Sequence, residues 1–164
     1  MKRLSILLLA LLMVFSAGAK KYKHSLGVAT GMSVGVGYKV MLTDNFTIIN
    51  DLSYGYSFIA VAGGGGVLDF FGDDANFAYE AHATTGQNID LSWYVGGGML
   101  LGACGDFGLG KWGVHAIGGI EINMVNAPIS ITADFRPGYA MAFTNTPAMH
   151  AFDASVNFGI RYTF

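Results

Sequence analysis

Several groups of residues have types that could do chemistry. Gly108-Leu109-Gly110-Lys111-Trp112-Gly113 spells G-x-G-x-x-G, the pattern with which a strand–turn–helix unit holds a pyrophosphate. That chemistry needs a helix N-terminus after the glycines. An alternating, strand-like segment follows instead, so the stretch reads as a hairpin loop. His150 and Ser155, or His115 and Glu121, carry base, nucleophile and acidic orienter types. A nucleophile and its base must lie within hydrogen-bond reach, yet positions five apart on a strand face opposite sides. His82 and His115 therefore read as packing groups. Asp69, Asp73 and Asp74 suggest a cation site but lack the fixed ligand spacing of one; they read as a solvated loop tip. Cys104 is the single cysteine, which rules out an intramolecular disulfide, and reads as a small inert loop residue. The sequence thus assigns no catalytic residue, no cofactor and no metal.

The elements that would position these residues are strands. From Phe152 to Phe164, Phe152, Ala154, Val156, Phe158, Ile160, Tyr162 and Phe164 fall on one face. Asp153, Ser155, Asn157, Gly159, Arg161 and Thr163 fall on the other. This period of two belongs to a β-strand. The same alternation runs through 25–31, 33–42, 46–58, 89–102, 111–124 and 129–139, with Asn50 breaking one apolar face. The stretch 77–83 is the faintest strand, after a long irregular loop over 62–76 with some strand character at 67–71. Together these predict eight strands. The connections alternate: 43–45, 84–88 and 125–128 are short, whereas 62–76, 103–110 and 138–150 are long and rich in Gly and polar residues. Only the turn near Gly31 and Met32 is short where a long one is expected. A meander sends odd and even connections to opposite ends, as in outer-membrane barrels with short periplasmic turns and longer outer loops.

The ends and the composition supply the compartment. Met1-Lys2-Arg3 is basic, Leu4 to Phe15 apolar, and Ala17-Gly18-Ala19 an A-x-A cleavage site; this is a secretory signal peptide over 1–19. Residues 20–164 then form one domain. No later apolar run is long enough for a membrane-spanning helix. The chain is 52% hydrophobic and 12% charged, poor in charge against the roughly 25% of ordinary soluble domains. Without Lys2 and Arg3 the nine basic residues become seven against eleven acidic, a formal charge of −4. There is no basic stripe for nucleic acid.

In lipid a sheet can span only by closing on itself, so the reading is an all-β, eight-stranded antiparallel up-and-down transmembrane barrel, its interior just filled by side chains. On this parity Lys39, Asp51, Glu80, His82, Asp90, Tyr94, His115, Glu121, Asn123, Asp134, Arg136, Asn157 and Arg161 point inward. Buried charges need partners. A lumenal network of Lys39, Glu121, Asp134, Arg136 and Arg161 is expected, with the two arginines facing Glu121 and Asp134 on neighbouring strands. A soluble barrel would reverse the faces; the aromatic C-terminus, the aromatic residues near strand ends and the scarcity of polar surface weigh against it.

The closing Arg161-Tyr162-Thr163-Phe164, with apolar Phe158, Ile160 and Tyr162 alternating before Phe164, resembles the C-terminal signature read by the barrel-assembly machinery of Gram-negative bacteria. Trp93-Tyr94-Val95-Gly96-Gly97-Gly98 and Gly118-Gly119-Ile120-Glu121 also resemble small OmpX/OmpA-type barrel proteins. The resemblance implies a monomeric integral outer-membrane protein in contact with outer-membrane lipids and lipopolysaccharide. It implies a structural or surface-interaction role and no channel wide enough for general diffusion. The alternative is a lipid-modifying enzyme of the lipid A deacylase or acyltransferase type.

Overall fold

Alternating side chains are accommodated by extended backbone, which sends successive residues to opposite faces. The computed structural model describes residues 22–61, 64–104, 109–143 and 149–164, and side chains within 22–56, 69–103, 110–141 and 152–164. The expected cleavage residues Ala17 and Ala19 lie outside them, as do Gly108 and the side chains of Cys104 and His150. The fold is all-β. Its strands are β1 (His24–Gly31), β2 (Ser33–Met41), β3 (Phe46–Val61), β4 (Gly64–Thr85), β5 (Ile89–Cys104), β6 (Leu109–Met124), β7 (Ile129–Phe143) and β8 (Met149–Thr163). They pair antiparallel in chain order, and β1 pairs with β8 to close a barrel. His24 and Phe164 seal the seam by exchanging backbone hydrogen bonds, each 2.9 Å. Closure leaves no unpaired edge.

Turn chemistry sets one end. The Thr43 hydroxyl accepts from the backbone N–H of Asn45 at 3.3 Å and of Phe46 at 3.1 Å, a local bond that competes well with further strand. At the other end the strands run much further than composition suggests. Residues 64–76, expected as an irregular loop, are strand, continuous with the faint 77–83 segment in the 22-residue β4. Gly and Asp are poor strand formers, but each of these residues has a register partner on β3, from Phe46↔Tyr79 to Val61↔Gly64. Leu109 and Gly110, expected in the 103–110 loop, likewise belong to β6, and Gly138 to Phe143, expected in the 138–150 loop, to β7. Pairing to a neighbour overrides local preference.

The wall is uneven. β1 and β2 have 8 and 9 residues, the other strands 15 to 22. The low β1–β2 turn is stitched between taller neighbours: Met32 N–H donates to the Val156 carbonyl at 3.4 Å, and the Met32 carbonyl accepts from Tyr56 N–H at 3.2 Å. Gly31 beside it has φ 153°, and a Cβ there would lie 2.1 Å from the Val156 carbonyl oxygen. Only glycine fits this corner.

The two faces divide as alternation requires, with the apolar one outward. In β8, Phe158, Ile160 and Tyr162 are 56–59% exposed, whereas Asn157 and Arg161 are buried. Among the described residues, those fully enclosed are mostly polar or charged. The apolar-inside arrangement, with the faces reversed, is not the one found among the described residues.

Candidate functional site

The inward face carries the chemistry. At the turn end, the Lys39 ammonium on β2 lies 2.8 Å from Glu80 Oε2 on β4 and also bonds Glu121 on β6. All three side chains are buried. Tyr22, just before β1, reaches in and donates its phenol hydroxyl to Glu121. Burial, then the neighbouring Glu121 charge, pushes the Tyr22 phenol well above its ordinary range. Near this rim His82 Nε2 lies 2.7 Å from Asp90 Oδ1.

One level higher, Arg136 on β7 crosses the lumen. Its Nε donates to Asp134 Oδ1 at 2.8 Å, its Nη1 to Asp74 Oδ2 at 2.9 Å and its Nη2 to Asp51 Oδ2 at 2.6 Å. Arg161 Nη2 reaches the other Asp51 oxygen at 3.4 Å. Tyr94 and Asn157 donate to Asp134 at 3.1 and 3.2 Å. Charge-assisted bonds of this kind replace the hydration that burial removes.

Glycines make the belt possible. Gly37 on β2 lies beneath Asp51: a Cβ there would stand 2.1 Å from Asp51 Oδ1. Tyr94 lies over its register partner Gly119, where a Cβ would meet the ring at 2.5 Å. Glycine within a strand thus marks the close approach of a large neighbour.

Above the belt, His115 Nε2 lies 2.7 Å from Asn76 Oδ1 and 3.1 Å from Asp74 Oδ1. Lys111 Nζ bonds Asp153 at 2.6 Å and sits 4.7 Å from the Phe70 ring centroid. A half-open cavity of about 70 Å³ lies among these groups, bounded on the low side by Ala29, Met32, Ser33 and Gly35.

The structure brings the expected lumenal residues together with different partners. Arg136 does pair with Asp134. Arg161 bonds Asp51 on β3, and Glu121 bonds Lys39 and Tyr22. Asp51, Asp74 and Tyr22 are parts of the network that the sequence left out of it. Alternation marks Asp51 as inward; nothing local shows that it meets β7 and β8. Asp69, Asp73 and Asp74 are strand residues, not a loop tip. Asp74 faces the lumen, whereas Asp73 is outward and accepts from Asn50 Nδ2 at 2.8 Å. Thus the residue that broke the apolar face of β3 has a polar neighbour on β4. Lys111 and Trp112 of the G-x-G-x-x-G stretch lie on β6, with no helix after them. Ser155 accepts from Asn157 at 3.4 Å. Phe158, Ile160, Tyr162 and Phe164, expected from the sequence as an assembly signal, form an exposed outward row.

No protein-family model matches the chain, and no curated protein matches it.

Proposed function

We propose that the chain is an integral outer-membrane barrel protein of the small OmpX/OmpA type, exported by its signal peptide, with a structural or surface-interaction role. The observation that carries this reading is the inverted distribution of side chains. Large apolar residues cover the outside on every strand, while lysine, arginine and carboxylates are buried within. Exposed apolar surface on this scale marks a surface that meets something other than water, and a closed sheet is the β structure that satisfies its backbone in lipid. Aromatic clusters near the turn end support an interfacial girdle: Phe46 packs on Phe77 and Tyr79, and His24 on Tyr38 and Phe164. The turn end is then periplasmic and the tall end external.

The salt-bridge belt spans the lumen, which supports a barrel without a channel for general diffusion. His115 bonds an amide and a carboxylate. Separation of inner and outer membranes tests the location. Recovery of the protein in the outer-membrane fraction, resistant to carbonate extraction, is expected; a soluble periplasmic pool would refute the proposal. Mass spectrometry of lipid A incubated with the purified protein tests the enzymatic alternative, for which acyl-chain loss or transfer would be the positive sign.

A further inference from the structure

Asn50 and Asp73 interrupt an outer wall that is otherwise apolar around them, where Ile48, Leu52, Phe71 and Phe77 are exposed. Asn50 lies four residues above Phe46 and Asp73 six above Tyr79, two rings that pack together near the turn end. At about 3.3 Å per residue and a tilt of about 40°, the two polar residues stand roughly 10 and 15 Å higher. Both therefore fall inside an apolar band of about 25 Å. The Asn50 amide donates to Asp73 Oδ1 at 2.8 Å. That bond uses one of two amide N–H groups and one of two carboxyl oxygens. Lipid chains offer nothing to the remainder, and polar groups held at this depth are costly. No cation answers from this wall either: Lys39, Lys111, Arg136 and Arg161, the lysines and arginines of the strands, are all buried.

We propose that this patch is the contact of a homodimer within the membrane, in place of the monomer that the family resemblance implies; the inference rests on the membrane reading. A two-fold axis along the membrane normal, passing between β3 and β4, sets the β3 of each copy against the β4 of its partner. Asn50 then faces the partner's Asp73, and its second N–H donates to the remaining carboxyl oxygen there. Two amides carry four N–H groups and two carboxyls four oxygens, so the ring of bonds closes, with an amide between the carboxyls on either side. In lipid, apolar contact gives little drive to associate, and polar and small residues at the interface supply it. Ala75, the register partner of Asn50, and the exposed Gly97 on β5 keep the wall low beside the pair, so the two surfaces can approach.

Sedimentation equilibrium of the folded protein in density-matched detergent tests this. A reversible dimer is expected. Asp73→Leu and Asn50→Leu each remove both bonds between the copies and should weaken dimerisation about tenfold, the scale of two polar contacts in a membrane. Phe158→Leu, on the opposite wall, should leave it unchanged. A wild-type monomer at every concentration, undiminished dimerisation in a folded leucine variant at 50 or 73, or an equal loss in Phe158→Leu would overturn the proposal. A second measurement needs neither polar residue changed. In vesicles, Ala75→Cys in a Cys104→Ser background should be joined to its copy by a short bismaleimide, and Phe158→Cys should not; equal yields at the two positions are equally fatal. A monomer recovered with the outer membrane sinks this interface and spares the membrane reading. A soluble periplasmic protein sinks the membrane reading, and with it the depth on which the interface depends.

Discussion

Asp51 and Asp74 stand directly opposite each other on neighbouring strands, and Arg136 from the far wall bonds them at 2.6 and 2.9 Å. The pair is stable because one guanidinium forks across both. Arg136→Met should therefore destabilise the barrel by about 3–5 kcal/mol, since it leaves buried carboxylates without their cation. Urea unfolding in detergent reads the loss. Adding Asp51→Asn to Arg136→Met should recover part of it, and a double variant no more stable than the single one would show that the network is not cooperative.

Tyr94 and Gly119 give a steric prediction of a different kind. A Cβ at Gly119 would lie 2.5 Å from the Tyr94 ring and 2.7 Å from the Ala133 carbonyl oxygen. Gly119→Ala should cost about 1–3 kcal/mol through overpacking. Combining it with Tyr94→Phe should recover little, because the carbonyl clash persists. The same urea series measures both.

The Tyr22 phenol gives a pH dependence. Its pKa is raised in the folded barrel, by burial first and then by Glu121. A group raised on folding contributes stability that is fully present below its unfolded pKa, near 10 for tyrosine, and lost as pH rises above it. The protein should thus lose about 1.4 kcal/mol per pH unit more steeply than Tyr22→Phe above roughly pH 10. Parallel stability curves for the two proteins would place Tyr22 outside the lumen.

The outward face makes a membrane prediction. Phe158, 56% exposed in the middle of the apolar row of β8, should resist charge: Phe158→Arg should cost about 2–4 kcal/mol at mid-bilayer. Asn157→Arg faces the lumen beside Asp134 and should act through crowding and charge pairing instead. Refolding yield into vesicles separates them. Blocked insertion of Asn157→Arg alongside normal insertion of Phe158→Arg would reverse the faces.

Much of this barrel was legible in the sequence, for a physical reason. Inward and outward residues alternate locally, so the buried positions of Lys39, Glu121, Asp134, Arg136 and Arg161 could be read from short windows. Their partners could not. Asp51 meets Arg136 and Arg161 across separations of 85 and 110 residues, and that meeting depends on strand tilt and on how far a long side chain reaches across the lumen. The expected Arg136–Asp134 pair is present, but Arg161 meets Asp51 on β3 instead of a carboxylate on the adjacent β7 or on β6, because its side chain reaches past the neighbouring strands. Residues 64–76 failed in another way. Their glycines and aspartates read as loop, but pairing with β3 made them strand, and this placed Asp74 inside and Asp73 outside.

A membrane barrel requires its outward face to meet lipid. A nitroxide label at position 158, on a cysteine introduced in a Cys104→Ser background, tests this in reconstituted vesicles through collision with molecular oxygen and with a water-soluble nickel chelate. High oxygen and low nickel accessibility is the expected result, with the reverse at Lys23 beyond the strand. Nickel accessibility at 158 equal to that at 23 would mean that this face meets water, and would contradict the membrane barrel outright.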